Sequence, residues 1–225
     1  MTAVQMSLGD APHVSSHARL LTRRAGALAA FLGVPFGMGL ASTVPSLQPA
    51  VHWLCSYSPA RLVHGEVWTL PFSALFAAKP HAIGRTTLLP FLVLGPFVMI
   101  CGAWRPVRSF FAGHIVATLA AAVMIIGGAS LGWHEGHVLY HAVDKGVSAG
   151  VAGAGGAFAV VVARSRWRPV AIVIVGTLVT LFTVAIFMEG PSHVLADSEH
   201  LVALATGALI EWRWSRAEFA ADRNS

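Results

Sequence analysis

Charged residues are scarce in this chain. They make up 11% of its 225 residues, against about 25% in a typical soluble domain. Hydrophobic residues make up 56%, and several apolar runs approach the ~20 residues that a helix needs to cross a bilayer. No polar stretch is long enough to form a separate soluble domain. The composition therefore excludes an ordinary soluble enzyme and predicts an all-α, polytopic membrane protein.

Cysteine is nearly absent as well. Cys55 and Cys101 are the two cysteines, and the topology predicted below puts them on opposite sides of the membrane, so no disulfide between them is expected. Neither belongs to a paired-cysteine zinc motif, and no cofactor is predicted. Residues 1–24 lack a signal-peptide pattern, so the first apolar run is expected to remain as a membrane span.

The apolar runs predict a six-helix membrane domain over residues 25–212. Residues 1–24 and 213–225 are predicted as a cytoplasmic N-terminal segment and a cytoplasmic C-terminal tail. The long loop 45–85 is predicted on the outer side, and its Trp and Phe residues suit the membrane interface. The predicted spans are Ala25–Val44, Thr86–Ala103, Val107–Gly128, Gly146–Val162, Pro169–Met188 and His200–Trp212.

The distribution of basic residues predicts the orientation of these spans. With the N-terminus inside, four of the fifteen Lys and Arg residues fall outside, and the other eleven fall in inner segments. Such a bias predicts an N-in, C-in orientation. The excess of Arg over Lys and the abundance of Ala, Gly and Val suggest a GC-rich bacterial genome, so the bacterial plasma membrane is the expected location. The formal net charge of +5 sits in short loops, so nucleic acid is not predicted as a partner. The four outer basic residues are Arg61, Lys79, Arg85 and Lys145.

A serine motif opens the fourth span. The stretch "GVSAG" from Gly146 to Gly150 matches the nucleophile elbow of soluble hydrolases, but that elbow needs a preceding strand, and here a membrane span follows. Its small residues, with Gly156 further on, predict a smooth face that lets a neighbouring helix approach closely. Ser148 is therefore expected just below the outer surface, at the head of the fourth span.

The sixth span offers the matching face. His200 opens it in "HLVALATGALI", with Glu199 expected as an acid in the first helical turn, and Ala203 and Gly207 form a small-residue pair. Ser148 and His200 are therefore expected at similar depth, where a hydroxyl and an imidazole in contact would form a nucleophile and its base. His114, inside the third span, is expected to bond a neighbouring helix.

Taken in order, these stretches resemble the rhomboid family of intramembrane serine proteases. "GEVWTLPFSALF" is similar to the end of the first rhomboid loop, and "LLPFLVLGPFVMICGAWRPVRSFFAGHIVATLAA" to spans two and three. "GVSAG" with its later Gly-Gly is similar to the serine motif, and "HLVALATGALI" to the histidine motif. The resemblance implies a six-span fold whose partners are transmembrane segments of other proteins and membrane lipids.

The resemblance also implies roles for individual residues. Ser148 would attack a peptide carbonyl and His200 would take its proton. The family's serine is followed by glycine, whereas Ala149 stands here, and the family holds the oxyanion with a His and an Asn in span two. The nearest match is His81 with Arg85. Two readings stay open: an active protease, and a non-catalytic rhomboid-like protein that binds membrane proteins.

A histidine cluster precedes the serine motif. His134, His137 and His141 share one face of a helix by their spacing, and imidazoles in such a group can bind zinc. This cluster would support a membrane metal-dependent hydrolase. The alternative is an outer loop whose histidines are solvated.

Overall fold

The computed structural model describes residues 16–76, 83–143, 147–169, 171–173, 175–176, 179–180 and 191–222. Residues 16–17, 83–89, 191–197 and 219–222 are described by their backbone only. The regular elements across this part of the chain are helices, so the all-α prediction is confirmed. They are α1 (Ser16–Ala41), α2 (Gln48–Cys55), α3 (Pro59–Val63), α4 (Thr69–Ser73), α5 (Ile83–Cys101), α6 (Trp104–Ser130), α7 (His134–His141), α8 (Ser148–Ala163) and α9 (Pro191–Asp222).

Within the described residues, each of the six predicted spans contains helical positions. Between α8 and α9, the described residues from 168 to 180 are helical. Two stretches within the described chain are long and apolar enough to cross a membrane, Ala18–Ala41 and Trp104–Ser130. Pro90–Cys101 and Ser148–Ala163 are apolar but shorter. The lengths and compositions of the first two stretches support association of the chain with a membrane.

The last helix is longer than the sequence predicted. The predicted span was His200–Trp212, but α9 begins at Pro191 and ends at Asp222. Proline suits a helix start, because its fixed φ and missing N–H cost nothing in the first turn. At ~1.5 Å per residue, the 32 residues of α9 span roughly 48 Å, so α9 reaches well beyond a hydrocarbon core.

Helix α8 occupies the centre of the helix packing. Its residues from Ala149 to Ala154 are all buried, as are Gly156 and Ala157. It packs against α5, α6 and α9. A helix that is apolar on every face and small in cross-section fits such a central place, because neighbours can approach it from several directions.

The segment between α1 and α5, which the sequence predicts on the outer side, is called here the outer segment. It is folded and has buried side chains of its own. Val51, Cys55 and Phe76 form one buried cluster. Tyr57 and Leu70 pack with Ala122 of α6 in another. Val51 and Cys55 lie on α2 and Leu70 lies on α4, while Tyr57 and Phe76 lie in the connections beside these short helices. Ser58 caps α3 by accepting the Arg61 N–H at 3.3 Å. The segment is therefore attached along the side of α6.

Candidate functional site

The two residues predicted to react lie at the start of α8 and in the third turn of α9. Ser148 is the first residue of α8 and is exposed, while the preceding Val147 is buried. His200 is half-buried in α9. Each of the two helices thus presents its predicted reactive residue just before the stretch in which the helices meet.

The contact between the two helices begins directly below these residues. Ala149 and Ala152 of α8 join Ala203 and Leu204 of α9 in one buried cluster. Ala149 follows Ser148 in the chain, and Ala203 lies one turn after His200. The cluster therefore holds the first turns of α8 against the part of α9 around Ala203. The Ser148–His200 pairing stays a prediction.

Glu199 lies deeper in its helix than the sequence predicted. It was expected in the first turn, but α9 begins at Pro191, so Glu199 lies in the third turn. Its Oε1 accepts a hydrogen bond of 2.6 Å from the Thr118 hydroxyl of α6. Thr118 is buried. The carboxylate next to His200 thus ties α9 to α6, a role that its place beside the histidine did not reveal.

Glycines bring the backbones of α6, α8 and α9 into direct contact. A Cβ added to Gly153 would lie 2.7 Å from the Ser109 carbonyl oxygen and 2.9 Å from the Gly113 Cα. A Cβ on Gly156 would overlap the Leu204 carbonyl. These distances are shorter than side chains tolerate, so glycine is required. Together with Ala203 and Gly207, these positions form what we call the glycine junction, Gly113, Gly153, Gly156, Ala203 and Gly207.

Gly150 and Gly146 are the other two glycines that were predicted to allow close helix packing. A Cβ on Gly150 would lie 2.5 Å from the Phe110 ring of α6, so Gly150 seats that aromatic side chain against α8. Gly146 lies outside the described residues.

The structure does not describe the side chain of either predicted oxyanion residue. His81 lies outside the described residues, and Arg85 belongs to the first turn of α5, where the description covers the backbone alone. Their proposed role therefore rests on the sequence.

The three predicted metal ligands lie on α7. His134 and His141 are its first and last residues, His137 lies between them, and all three are exposed. Within the described chain, which includes all three, no three His, Cys, Asp or Glu side chains are grouped so that they could hold a metal ion. The side-chain positions thus give the metal-hydrolase hypothesis no support.

His114 of α6 bonds a neighbouring helix as predicted, but its partner Ser73 was not predicted. The Ser73 hydroxyl of α4 lies 3.0 Å from Nε2 of His114, and that nitrogen lies 3.0 Å from the Leu70 carbonyl oxygen. To donate to the carbonyl, Nε2 must carry the proton, so it cannot act as a base toward Ser73. Both side chains are fully buried. This contact fastens α4 to α6 and is not a catalytic dyad.

Arg61 organises the outer segment. Its guanidinium donates to the carbonyl oxygens of His52 at 3.3 Å and Trp53 at 2.6 Å, and also to that of Ser56. It pairs with the Glu66 carboxylate as well. The carbonyls at a helix C-terminus lack intrahelical donors, and this one arginine supplies several for α2. In the sequence, Arg61 is recognisable only as one of the four basic residues predicted on the outer side. Its hydrogen-bonding role could not be predicted, because its partners become neighbours only after folding.

A second charged cluster joins α6 to the far half of α9. Glu211 is fully buried, 3.5 Å from Arg105 and 3.7 Å from Arg108. Arg105 also pairs with Glu218, and the Arg108 guanidinium stacks 4.1 Å from the centre of the Trp214 ring. We call these residues the arginine cluster, Arg105, Arg108, Glu211, Trp214 and Glu218. It lies at the end of the domain predicted to be cytoplasmic.

Comparison with known proteins returns no match: no family model fits the chain, and no curated protein or solved structure is similar to it. The rhomboid resemblance therefore rests on the motifs and their order.

Proposed function

We propose that this chain is a rhomboid-like, six-span protein of the bacterial plasma membrane that binds transmembrane segments of other membrane proteins. The binding site would lie between the start of α8 and the third turn of α9, open to the extracytoplasmic side. Ser148 and His200 would give that site the means to cut a peptide bond. Helical positions within each of the six predicted spans and the excess of basic residues in inner segments support the proposed topology.

One observation carries the proposal: Ala149 of α8 and Ala203 of α9 belong to one buried cluster. An exposed serine precedes Ala149 at the start of α8, and a histidine lies one turn before Ala203 on α9. A polar residue at this depth requires an aqueous or protein environment. A site that admits a transmembrane segment beside water provides such an environment.

The proposed chemistry uses few groups. The Ser148 hydroxyl attacks the substrate carbonyl as His200 takes its proton, which gives a tetrahedral intermediate. His200 then returns the proton to the leaving amine, and water releases the acyl group from Ser148. Because the first N–H groups of a helix lack intrahelical acceptors, those of α8 are candidates to stabilise the oxyanion.

A second candidate function is binding without cleavage. Arg85 stands where the family's oxyanion asparagine is expected, and loss of one oxyanion donor typically costs about 100- to 1,000-fold in rate. Ala149 stands in place of the family's glycine, and its side chain is buried in the contact with α9. Both observations favour a protein that holds transmembrane partners and leaves them intact.

Labelling with a fluorophosphonate probe separates these functions. If the chain is a protease, the purified wild type is labelled, Ser148→Ala abolishes labelling and His200→Gln lowers it by about 1,000-fold or more. Ser130→Ala and His137→Gln are matched controls, because both residues are exposed, Ser130 at the end of α6 and His137 in the middle of α7. They should leave labelling unchanged.

A transmembrane peptide that carries a photo-crosslinking residue tests binding independently. Crosslinking without labelling assigns the non-catalytic function. The whole proposal fails if the wild type neither reacts with the probe nor crosslinks to the peptide.

A further inference from the structure

An apolar cavity of about 450 Å³ opens between α8, the helical residues 168–180 and α9. Its volume lies within the range of ordinary ligand sites, about 300–1,000 Å³. Every lining residue that the structure describes is aliphatic or glycine, so this part of the wall suits hydrocarbon. The lining residues that matter below are Ala159, Ala163, Ala171, Gly176, Leu204 and Ala208.

One end of this cavity is strongly basic. The turn after Ala163 leads into the next helical stretch, and within five residues it carries Arg164, Arg166 and Arg168, all exposed. Ala163 before the turn and Ala171 after it both line the cavity. The turn therefore closes the end of the cavity that lies between α8 and the following helical stretch. The sequence from residue 159 to residue 180 contains no acid.

The same end bears contacts typical of headgroup depth. Arg164 donates to the Trp212 carbonyl of α9 at 3.5 Å, so the turn meets α9 there. Trp167 is exposed, with the Arg166 guanidinium 5.5 Å from its ring. Trp and Arg together mark the level of lipid headgroups at a membrane surface. Hydrocarbon-like walls therefore continue into a cationic rim at headgroup depth.

We propose that this cavity binds one anionic phospholipid of the inner leaflet. An acyl chain would fill the aliphatic space between α8 and α9, and the headgroup phosphate would pair with Arg166 and Arg168. Basic pockets between membrane helices on the cytoplasmic side are suited to acidic headgroups. The inference rests on the proposed membrane topology but not on the proposed protein-binding site, which lies at the other end of α8.

Native mass spectrometry of the purified protein in detergent tests the lipid site. The two probes are phosphatidylglycerol and phosphatidylcholine with identical palmitoyl and oleoyl chains. Wild type should retain one phosphatidylglycerol in preference to phosphatidylcholine. Because each basic side chain near an anionic lipid contributes about 1 kcal/mol, Arg166→Gln with Arg168→Gln should lower that preference roughly 10- to 30-fold. Arg19→Gln with Arg23→Gln removes two exposed arginines of α1 and should leave it unchanged.

A second variant tests the acyl chain. Gly176 lines the cavity, and a Cβ there meets no atom within 4 Å. Gly176→Leu should therefore fold and should lower retention of both lipids about tenfold. Gly127→Leu on α6 adds the same side chain at a glycine that also has open space, and it should retain both lipids.

These outcomes distinguish the two proposals. Equal retention of the two lipids by wild type, or unchanged retention in Gly176→Leu, overturns the lipid site. Ser148→Ala should bind lipid as wild type does, so failure of the protease test leaves this result intact. Recovery of the chain in solution without detergent would instead overturn the membrane topology.

Discussion

Two stretches of α9 attach to α6 and α8 by opposite means. The middle of α9, at Ala203 and Gly207, contacts Gly153 through backbone atoms with almost no side chain between them. The next turn, at Glu211, meets two arginines of α6 through charges. The glycine junction depends on shape and tolerates no added atom. The arginine cluster depends on electrostatics and on long side chains that can adjust.

In the proposed membrane topology, these two contacts would fix α9 at two different depths. Within lipid there is little hydrophobic force between helices, so close packing of small residues holds them together. Near the membrane surface, charged groups retain partial access to water, and Arg105 and Arg108 are 23% and 19% exposed. Their pairing with Glu211 then gains from a low dielectric without requiring complete desolvation of the cations.

The largest expected effect comes from one methyl group in the glycine junction. Gly156→Ala forces a Cβ onto the Leu204 carbonyl, which cannot move without shifting α9. We expect a loss of about 3 kcal/mol in unfolding free energy, or a thermal midpoint lower by roughly 6–12 °C, measured by circular dichroism in detergent.

The neighbouring glycine is the matched control. A Cβ on Gly155 would lie 3.8 Å from the Val93 side chain, an ordinary contact. Gly155→Ala should be neutral or slightly stabilising, because alanine favours helix. Similar losses in both variants would disprove the direct backbone contact between α8 and α9.

A smaller effect is expected in the arginine cluster. Glu211→Gln keeps the shape of the side chain but leaves two arginines without their buried counter-charge, which should cost about 1–3 kcal/mol. In wild type, 1 M NaCl should lower the thermal midpoint through this cluster, whereas Glu211→Gln should respond less.

A double-mutant cycle tests the same pair directly. Arg108→Gln combined with Glu211→Gln should be less harmful than the sum of the single changes, by about 0.5–1 kcal/mol. Strict additivity would mean that the charges are not coupled. The comparison with the glycine junction would then rest on shape alone.

The smallest expected effect concerns Arg61, whose acceptors are mostly neutral carbonyls. Cys55 ends α2 and is buried, and that burial raises the pKa of its thiol to about 11. In a Cys101→Ser background, Cys55 should therefore react slowly with maleimide at pH 8. Arg61→Gln should loosen the end of α2, lower this pKa toward its ordinary value and raise the alkylation rate about tenfold.

Glu66→Gln is the control for that measurement. It removes the carboxylate partner of Arg61 but keeps the carbonyl bonds to α2, so the alkylation rate should rise much less. An equal rise in both variants would show that the Arg61–Glu66 pair, and not the carbonyl bonds, holds the segment.

The sequence predicts the long helices because apolar length and small-residue spacing are local properties. It predicts the face of α8 for the same reason, since Gly150, Gly153 and Gly156 repeat at helical intervals. It misses the early start of α9, because the polar residues after Pro191 resemble a loop. It also misses the partners of Arg61 and Glu211, which are brought together by folding.

The candidate site divides in the same way. Chain order and the distribution of basic residues predict a common depth for Ser148 and His200. Their separation depends on the rotation of α8 and α9 about their axes, and a motif carries no information about that rotation. The link from Glu199 to Thr118 spans 81 residues, and nothing in the local pattern of either residue indicates it.

The glycine junction also bears on the order of folding. Its parts come from α6, α8 and α9, so the contact closes only when residues near 205 have emerged from the ribosome. Synthesis delivers helices one at a time, and contacts between distant segments form late. Until α9 arrives, Gly156 presents bare backbone to whatever lies beside it. The finished domain is thus assembled by its last helix, and a nascent chain that stops before Ala203 would leave α8 open to membrane chaperones and proteases.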